Sequence, residues 1–300
     1  MKIGLIGLGR MGHAIAKRLL NAHVEVIGYD RDEHARKALQ AVGGTAVDSV
    51  QTVAAAVDKI WLMVPAGAIV DAVIDELIPV LPKESVIIDG GNSYFRDSIK
   101  RAERLQQHAI GFLDCGTSGG LHGESLGFSL MIGGDEQTYA HIKPFFNIIA
   151  APQGYALVGP VGAGHYVKMV HNGIEYALLQ AYAEGFHLLK DGYYKNLDLA
   201  QITEVWSHGS IVRSWIVELA HTIFTRDQEF NNVSGEIGGG QTGRWALKEA
   251  MQAGIAVPLL EKALDVRSQS YTTGGDYATK LVALLRHEFG GHEVTLKEKK

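Results

Sequence analysis

Lys168, His171, Asn172 and Glu175 occur at i, i+3, i+4 and i+7 within the segment GHYVKMVHNGIEYALLQAY, Gly164 to Tyr182, so a helix there carries all four on one stripe. Val170, Ile174, Ala177 and Ala181 fall on the opposite side. A neutral lysine accepts a proton, a carboxyl group donates one, and an imidazole and an amide orient a small polar ligand by hydrogen bonds. Such a stripe suits a substrate that loses a proton in one step and gains one in another. The same spacing also describes a solvated helix face with i,i+4 charge pairing, so the rest of the chain has to decide between the two.

A second group of residues points to a dinucleotide. Gly7-Leu8-Gly9-Arg10-Met11-Gly12 follows a short apolar run, Lys2 to Ile6, and opens an amphipathic stretch. In that setting the first glycine makes a tight turn, the second lets backbone approach a pyrophosphate, and the third allows close helix packing. The amides at the helix start attract the phosphates. Asp30 ends the second apolar run, where a carboxylate binds the adenine ribose hydroxyls and repels a 2'-phosphate, which favours NAD over NADP. Arg31 beside it works the other way, because a guanidinium binds that phosphate. Asp30 also suits an ordinary N-cap for a helix from Arg31 onward. A flavin fits the same fold, but a lysine base beside a hydroxyl-bearing carbon is what hydride removal to nicotinamide needs.

The elements that must position these groups follow from periodicity. KIGLIG, VEVIGYD, KIWLMV and SVIIDG alternate with amphipathic stretches at 11–22, 31–42, 66–77 and 97–108, and further strands are expected at 110–114 and 129–132, with a helix at 136–149. Short strands that are apolar on both faces and separated by helices predict a doubly wound α/β domain with a parallel sheet. Beyond Gly159-Pro160 the texture changes to long 3.6-residue periods at 163–191, 199–207, 213–224, 243–253, 259–270 and 276–288. The sequence therefore predicts a Rossmann-type dinucleotide-binding domain over residues 1–160 and an all-helical substrate and dimerisation domain over 161–300.

Composition narrows the function classes. The net charge is −5, and the tail Lys297, Lys299 and Lys300 is the only basic cluster, which argues against nucleic acid as a partner. A single cysteine, Cys115, cannot build a disulfide framework or a cysteine zinc site, and the histidines lack ligand spacing, so no metal is expected. The first apolar run is interrupted by glycines and too short to span a bilayer or serve as a signal-peptide core. A soluble, cytoplasmic chain is expected.

GLIGLGRMG, DGGNS at Asp89 to Ser93, TSGG at Thr117 to Gly120 and GAGHYVKMVHNGIEY at Gly162 to Tyr176 together resemble the decarboxylating 6-phosphogluconate dehydrogenase family in its short bacterial form, with a single helical half. The lysine-helix motif is specific; the glycine motif is not. The resemblance implies that Lys168 takes the proton from the hydroxyl on carbon 3 as hydride leaves, then supports loss of carbon dioxide. It implies that Glu175 protonates carbon 1 of the enediol to give ribulose 5-phosphate, within pentose phosphate and gluconate metabolism. Lys168 must then be neutral when it acts as base, which burial and a cationic His171 favour, and Glu175 must be protonated at its turn. Asn92, Ser118, Gly119 and Gly120 are implied to bind substrate, with His171, Asn172, Tyr176, Thr242 and Arg267; Arg286 and His292 are implied to be lent by a neighbouring subunit of a homodimer or homotetramer. Gly7, Gly9, Arg10, Met11, Gly12, Asp30, Arg31, Val64 and Asn92 are implied to hold the cofactor.

Two departures from the family pattern stand out. Gly240-Gln241-Thr242-Gly243 replaces a Lys-Gly-Thr-Gly phosphate loop, so only Thr242 carries over and Arg244 is the candidate to compensate. Val64-Pro65-Ala66-Gly67 replaces a Lys-Ala-Gly on the nicotinamide side. The close rival is a β-hydroxyacid dehydrogenase acting on a small 3-hydroxy acid, which shares the glycine motif, the Ser-Gly-Gly loop and a lysine helix. Such an enzyme has no use for Glu175 as proton donor or for a phosphate cluster. A non-catalytic NAD(H) sensor is a third reading, against which an intact Lys168, Asn172 and Glu175 argue.

Overall fold

A computed structural model of the chain describes residues 1–296; the basic tail residues Lys297, Lys299 and Lys300 lie outside the described residues. The residues sort into two compact units, Met1–Met169 and the chain from Val170 onward. That division falls inside a helix, a little beyond the Gly159-Pro160 breakers. Each unit has its own core.

The first unit is built on an eight-stranded sheet in the order β3-β2-β1-β4-β5-β6-β7-β8. Its strands are β1 (Lys2–Ile6), β2 (Glu25–Tyr29), β3 (Thr45–Ala46), β4 (Lys59–Leu62), β5 (Val86–Asp89), β6 (Gly111–Ser118), β7 (Phe128–Gly133) and β8 (Ala150–Gly159). Between them run α1 (Arg10–Asn21), α2 (Glu33–Ala41), α3 (Val50–Ala56), α4 (Ala68–Leu77), α5 (Phe95–Gln106), α6 (Gly123–Leu126) and α7 (Glu136–Ile149). Alternation along the strands explains why both faces must be covered. Ile3, Leu5, Trp61 and Ile88 enter a core with Ile15, Leu19 and Phe146, while Ile6, Ile60, Leu62 and Ile87 enter another with Val70, Ile74 and Leu77.

The sheet is parallel from β3 through β6, but β7 runs antiparallel to β6. The reason is the connection, residues 119–127, which is too short for the crossover that parallel strands require. β8 then pairs parallel to β7 after the full crossover of α7. Its sequence, AAPQGYALVG, contains a proline and two glycines, which an edge strand tolerates and which hid it from period-two reading. The order reverses beside β1, so the carboxyl ends of β1 and β4 flank the topological switch point where dinucleotides bind in this architecture.

The second unit is helical. α8 (Ala163–Asp191) runs from the first unit into it, followed by α9 (Leu199–Ser207), α10 (Trp215–Arg226), α11 (Gln241–Gln252), α12 (Pro258–Thr273) and α13 (Tyr277–Gly290). Leu179, Ala183 and Phe186 of α8 pack with Leu219, Ile223 and Phe224 of α10 and Leu281, Val282 and Leu285 of α13. Among the described residues, no helix is long and apolar enough to cross a membrane.

Candidate active site

At the switch point the glycine turn has the form that a pyrophosphate needs. Gly7 adopts φ +93°, and a Cβ there would lie 2.5 Å from the Met63 carbonyl oxygen. A Cβ on Gly12 would lie 2.0 Å from the Gly7 carbonyl oxygen, so only glycine lets α1 start this close to the turn. Gly9 is different: a Cβ there would meet nothing within 4 Å, and it caps α1 without a side-chain hydrogen bond. The Gly9 position at the start of α1 therefore leaves room for a ligand, as the fit to a dinucleotide requires. Val64, just past β4, brings its Cγ1 to 3.1 Å from the Gly7 Cβ position.

Asp30 lies just past β2, and its carboxylate accepts from the Leu8 amide at 2.7 Å and from the Asp32 amide at 2.9 Å. It is thus tied to the glycine turn. The N-cap of α2 is Asp32, which accepts from the His34 amide, so Asp30 is not the helix cap that its position also allowed. Arg31 is exposed next to it. A cavity of about 370 Å³ is lined by Gly9, Arg10, Met11 and His13 on one side and Gly120 and Leu121 on the other, so the first unit brings the glycine turn and the Ser-Gly-Gly loop to one space.

The loops that follow β5 and β6 are braced from below. Buried Asp89 accepts from the Ser93 hydroxyl at 2.7 Å and the Gly91 amide at 3.2 Å, which shapes the turn carrying exposed Asn92. Arg101, only 3% exposed, reaches Asp89 at 3.4 Å, Asp71 at 2.7 Å and the Gly67 carbonyl at 3.0 Å. It locks the Asn92 loop to the loop after β4. Ser118 ends β6, and Gly119 and Gly120 take φ +127° and +52°, a turn in which neither residue places a side chain of its own beside its amide. Cys115 is buried in the same strand, and burial pushes its thiol well above the ordinary range, which makes it inert.

α8 shows an inverted pattern. Lys168 and Asn172 are buried at 7% and 8% exposure, whereas Val170, Ile174 and Leu178 are 40%, 58% and 44% exposed. Lys168 and Asn172 are therefore not on a solvated face, while the His171 and Glu175 side chains stay 39% and 23% exposed. The start of α8 is seated on the β6–β7 pair. Asp114 of β6 accepts from the Gly162 amide at 2.6 Å and the His165 amide at 2.8 Å. A Cβ on Gly116, two residues along the same strand, would lie 2.4 Å from Lys168 Cβ. Buried His165 pairs Nδ1 with the Ser98 hydroxyl at 2.7 Å, while its Nε2 has no hydrogen-bond partner.

The second unit gathers most of the remaining predicted residues. His171 Nδ1 lies 3.1 Å from Asn172 Oδ1 and 4.0 Å from a Glu175 carboxylate oxygen. Asn172 donates to the Thr242 hydroxyl at 3.2 Å, and the Tyr176 hydroxyl meets the same oxygen at 3.2 Å. Gly243 permits this approach, since a Cβ there would fall 2.4 Å from the Tyr176 ring. The Arg267 guanidinium stacks 3.9 Å from the Tyr176 centroid. Arg286 Nη2 lies 3.1 Å from the Cβ position of Gly239, and Arg244 Nη1 lies 3.5 Å from that of Gly240. Three guanidinium groups thus surround a glycine loop.

Arg267 and Arg286 are 3% and 7% exposed. Burial lowers the pKa of each guanidinium, partly offset by Tyr176 and Glu175, whose fields reach both. Arg286, which the resemblance implies is lent to a neighbouring subunit's site, lies within electrostatic reach of Arg267 in its own chain. His292 is exposed beyond the end of α13, its ring edge-on to Phe289 at 6.3 Å. A larger cavity in this unit, about 750 Å³, holds none of the predicted residues. Its Glu204 is already paired with His208 at 3.1 Å and His221 at 3.3 Å. No group of histidine, cysteine and acidic residues fit to hold a metal occurs among the described residues.

Residues 2–166 match the NAD-binding domain of 6-phosphogluconate dehydrogenase, and residues 164–299 match the C-terminal domain of the same enzyme. The NAD(+)-dependent, decarboxylating 6-phosphogluconate dehydrogenase of Haloferax volcanii is 43% identical over 99% of this chain and 100% of its own length. The structure of Plasmodium falciparum 6-phosphogluconate dehydrogenase, determined with NADP+ and with 6-phosphogluconate, is similar with a TM-score of 0.82 at 28% identity, covering 91% of this chain and 62% of that one. A 3-hydroxyisobutyrate dehydrogenase from Salmonella typhimurium has a TM-score of 0.79 at 22% identity, covering 94% of this chain and 99% of that one, a likeness of fold.

Proposed function

Because the chain belongs to the 6-phosphogluconate dehydrogenase family, we propose that it oxidises and decarboxylates 6-phosphogluconate to ribulose 5-phosphate and carbon dioxide, with NAD as cofactor and NADP as an alternative. The glycine turn, the amides opening α1 and the carboxylate of Asp30 are the residues that would hold the dinucleotide, with Val64 and Asn92 toward its nicotinamide end. When bound, the nicotinamide supplies a hydride acceptor.

The rest belongs to the chain. Lys168, neutral at this stage, takes the proton of the carbon 3 hydroxyl as that carbon is oxidised. The resulting ammonium donates a hydrogen bond to the new ketone oxygen, which accepts charge as carbon dioxide leaves. Glu175 then delivers a proton to carbon 1 of the enediol. Both residues sit on α8, seven positions apart, so the helix sets them about 10 Å apart along its axis. Asn172 is fixed by Thr242 and presents its amide along the same stripe, while the amides of Ser118, Gly119 and Gly120 suit a carboxylate.

The observation that carries this reading is the pair of buried guanidinium groups, Arg267 and Arg286, beside Glu175 and Tyr176. Two cations taken out of water are costly unless an anion meets them. A phosphate dianion on the substrate meets that need; a small 3-hydroxy acid has no second anion to offer. The test is a pair of initial-rate titrations with 6-phosphogluconate, one per cofactor, with carbon dioxide release followed, against the same titrations with 3-hydroxyisobutyrate. Turnover of the phosphorylated acid with equimolar carbon dioxide is expected, and preferential oxidation of 3-hydroxyisobutyrate would overturn the reading. The same reading includes a homodimer or homotetramer, for which the exposed apolar side of α8 is the support.

A further inference from the structure

We infer that Asp114 is a positioning residue for Lys168, and that strand β6 sets the distance between the lysine and the Ser118-Gly119-Gly120 loop. The inference rests on the reading of Lys168 as the base, but its evidence is the seat of α8. The chain entering that helix, Gly159-Pro160-Val161-Gly162, has no side chain able to cap it. The cap comes instead from a strand 48 residues earlier, where Asp114 Oδ1 takes the Gly162 amide and Oδ2 takes the His165 amide. Two acceptors on one rigid carboxylate fix both the position of the helix start and its rotation about its own axis.

Everything around this carboxylate is shaped to keep the helix close. Asp114 is 0% exposed. Opposite it on β7, a Cβ at Gly133 would fall 2.4 Å from Asp114 Oδ1 and 2.7 Å from the Gly164 amide nitrogen. A Cβ at Gly164 would fall 2.4 Å from the Met131 carbonyl oxygen. Residues 114, 116 and 118 alternate onto one face of β6. Along that face Asp114 holds the helix start, Gly116 lies beneath Lys168 Cβ, and Ser118 begins the loop. A buried carboxylate is a costly way to obtain a helix cap that a serine in the chain itself could provide. What it adds is registry between the helix that carries the base and the strand that ends in the binding loop.

Two variants of the full chain test this, Asp114→Asn and Gly116→Ala. Asparagine keeps one acceptor and turns a carboxamide N–H donor toward the second amide, while the added methyl group at residue 116 would fall 2.4 Å from Lys168 Cβ and 2.8 Å from the Gly164 carbonyl oxygen, so it pushes on Lys168 and the helix start while leaving the Asp114 carboxylate unchanged. Each is expected to lower kcat about 30- to 100-fold, the scale of a displacement of about 1 Å at a reacting group. NAD affinity by calorimetry should stay within about twofold, and the primary isotope effect with substrate deuterated at carbon 3 should rise. A purely structural role would lower all constants only through the folded fraction, leaving the isotope effect and the affinity of folded protein unmoved. A second readout does not need turnover: competitive acetylation of lysines, read by mass spectrometry, should show Lys168 several-fold more reactive in both variants relative to exposed Lys143. Unchanged Lys168 labelling in both would overturn the inference whatever the substrate is. Changed labelling without any turnover of 6-phosphogluconate by the unmodified protein would sustain the positioning role and count against the substrate instead.

Discussion

At the scale of single residues, the proposed reaction requires an amine that is uncharged when it acts and a dinucleotide held elsewhere by other groups. Lys168→Met keeps the length and apolar stem of the side chain but removes the base. It should therefore lower kcat by about a thousandfold, within the range for a general base, while NAD affinity by calorimetry stays near that of the unmodified chain. Retention of most of the activity would refute the base assignment. Asp30 makes a different prediction, because its carboxylate both repels a 2'-phosphate and ties the glycine turn through the Leu8 amide. Asp30→Asn should raise the ratio of kcat/KM with NADP to that with NAD about tenfold or more, since a charge facing that phosphate is lost. An unchanged ratio would give control to Arg31. Lys168, Asn172 and Glu175 were legible in the sequence because helical spacing alone puts them on one stripe. Asp114, Asp89 and Arg101 were not, because their partners are distant in the chain and no local period connects them: the Asp114 amide donors lie 48 and 51 residues away.

Elements are held to their tasks by caps and close approaches as much as by apolar faces. α8 buries Lys168 and Asn172 and exposes apolar residues, so its orientation cannot be set by hydrophobic burial alone; the Asp114 cap and the glycines at 116, 133 and 164 supply the constraint. α7 is a conventional case. Its N-cap Asp135 accepts from Thr138; burial opposes the charge, yet the hydrogen bonds from Thr138 outweigh it and hold the carboxyl below its usual range. A carboxyl lowered in the folded state contributes stability at pH values above its unfolded pKa, and that contribution fades as pH falls through the folded value. Asp135→Ala should thus cost about 1 kcal/mol in urea unfolding at neutral pH, with the difference from the unmodified chain shrinking below about pH 4. A cost that is the same at pH 7 and pH 3 would mean that the charge on Asp135 is not what caps the helix. The parallel βα units were legible because both-face burial gives continuous apolar runs. The turn to an antiparallel β7 was not, since it depends on the shortness of residues 119–127 rather than on any pattern within the strand.

At the scale of the whole chain, the change from short strands to long helical periods near residue 160 revealed two kinds of architecture, but the core division falls within α8 because the helix start belongs to β6 and β7. The chain covers 62% of the length of its Plasmodium relative. Val167, Val170, Ile174 and Leu178 form an apolar line along α8, each between 37% and 58% exposed, on the helix that also carries Lys168 and Glu175. A second copy of the chain is the occupant consistent with a homodimer or homotetramer, and association would remove this area from water at about 25 cal/mol per Å². Sedimentation should then give at least twice the chain mass of 32.5 kDa at micromolar concentration. Ile174→Glu places a charge at the most exposed point of that line without touching the polar stripe, so it should shift the sedimenting species to a single chain while far-ultraviolet circular dichroism stays unchanged. An unmodified protein that sediments as one chain would remove the second copy from the proposal, and a variant that remains associated would place the interface on another face.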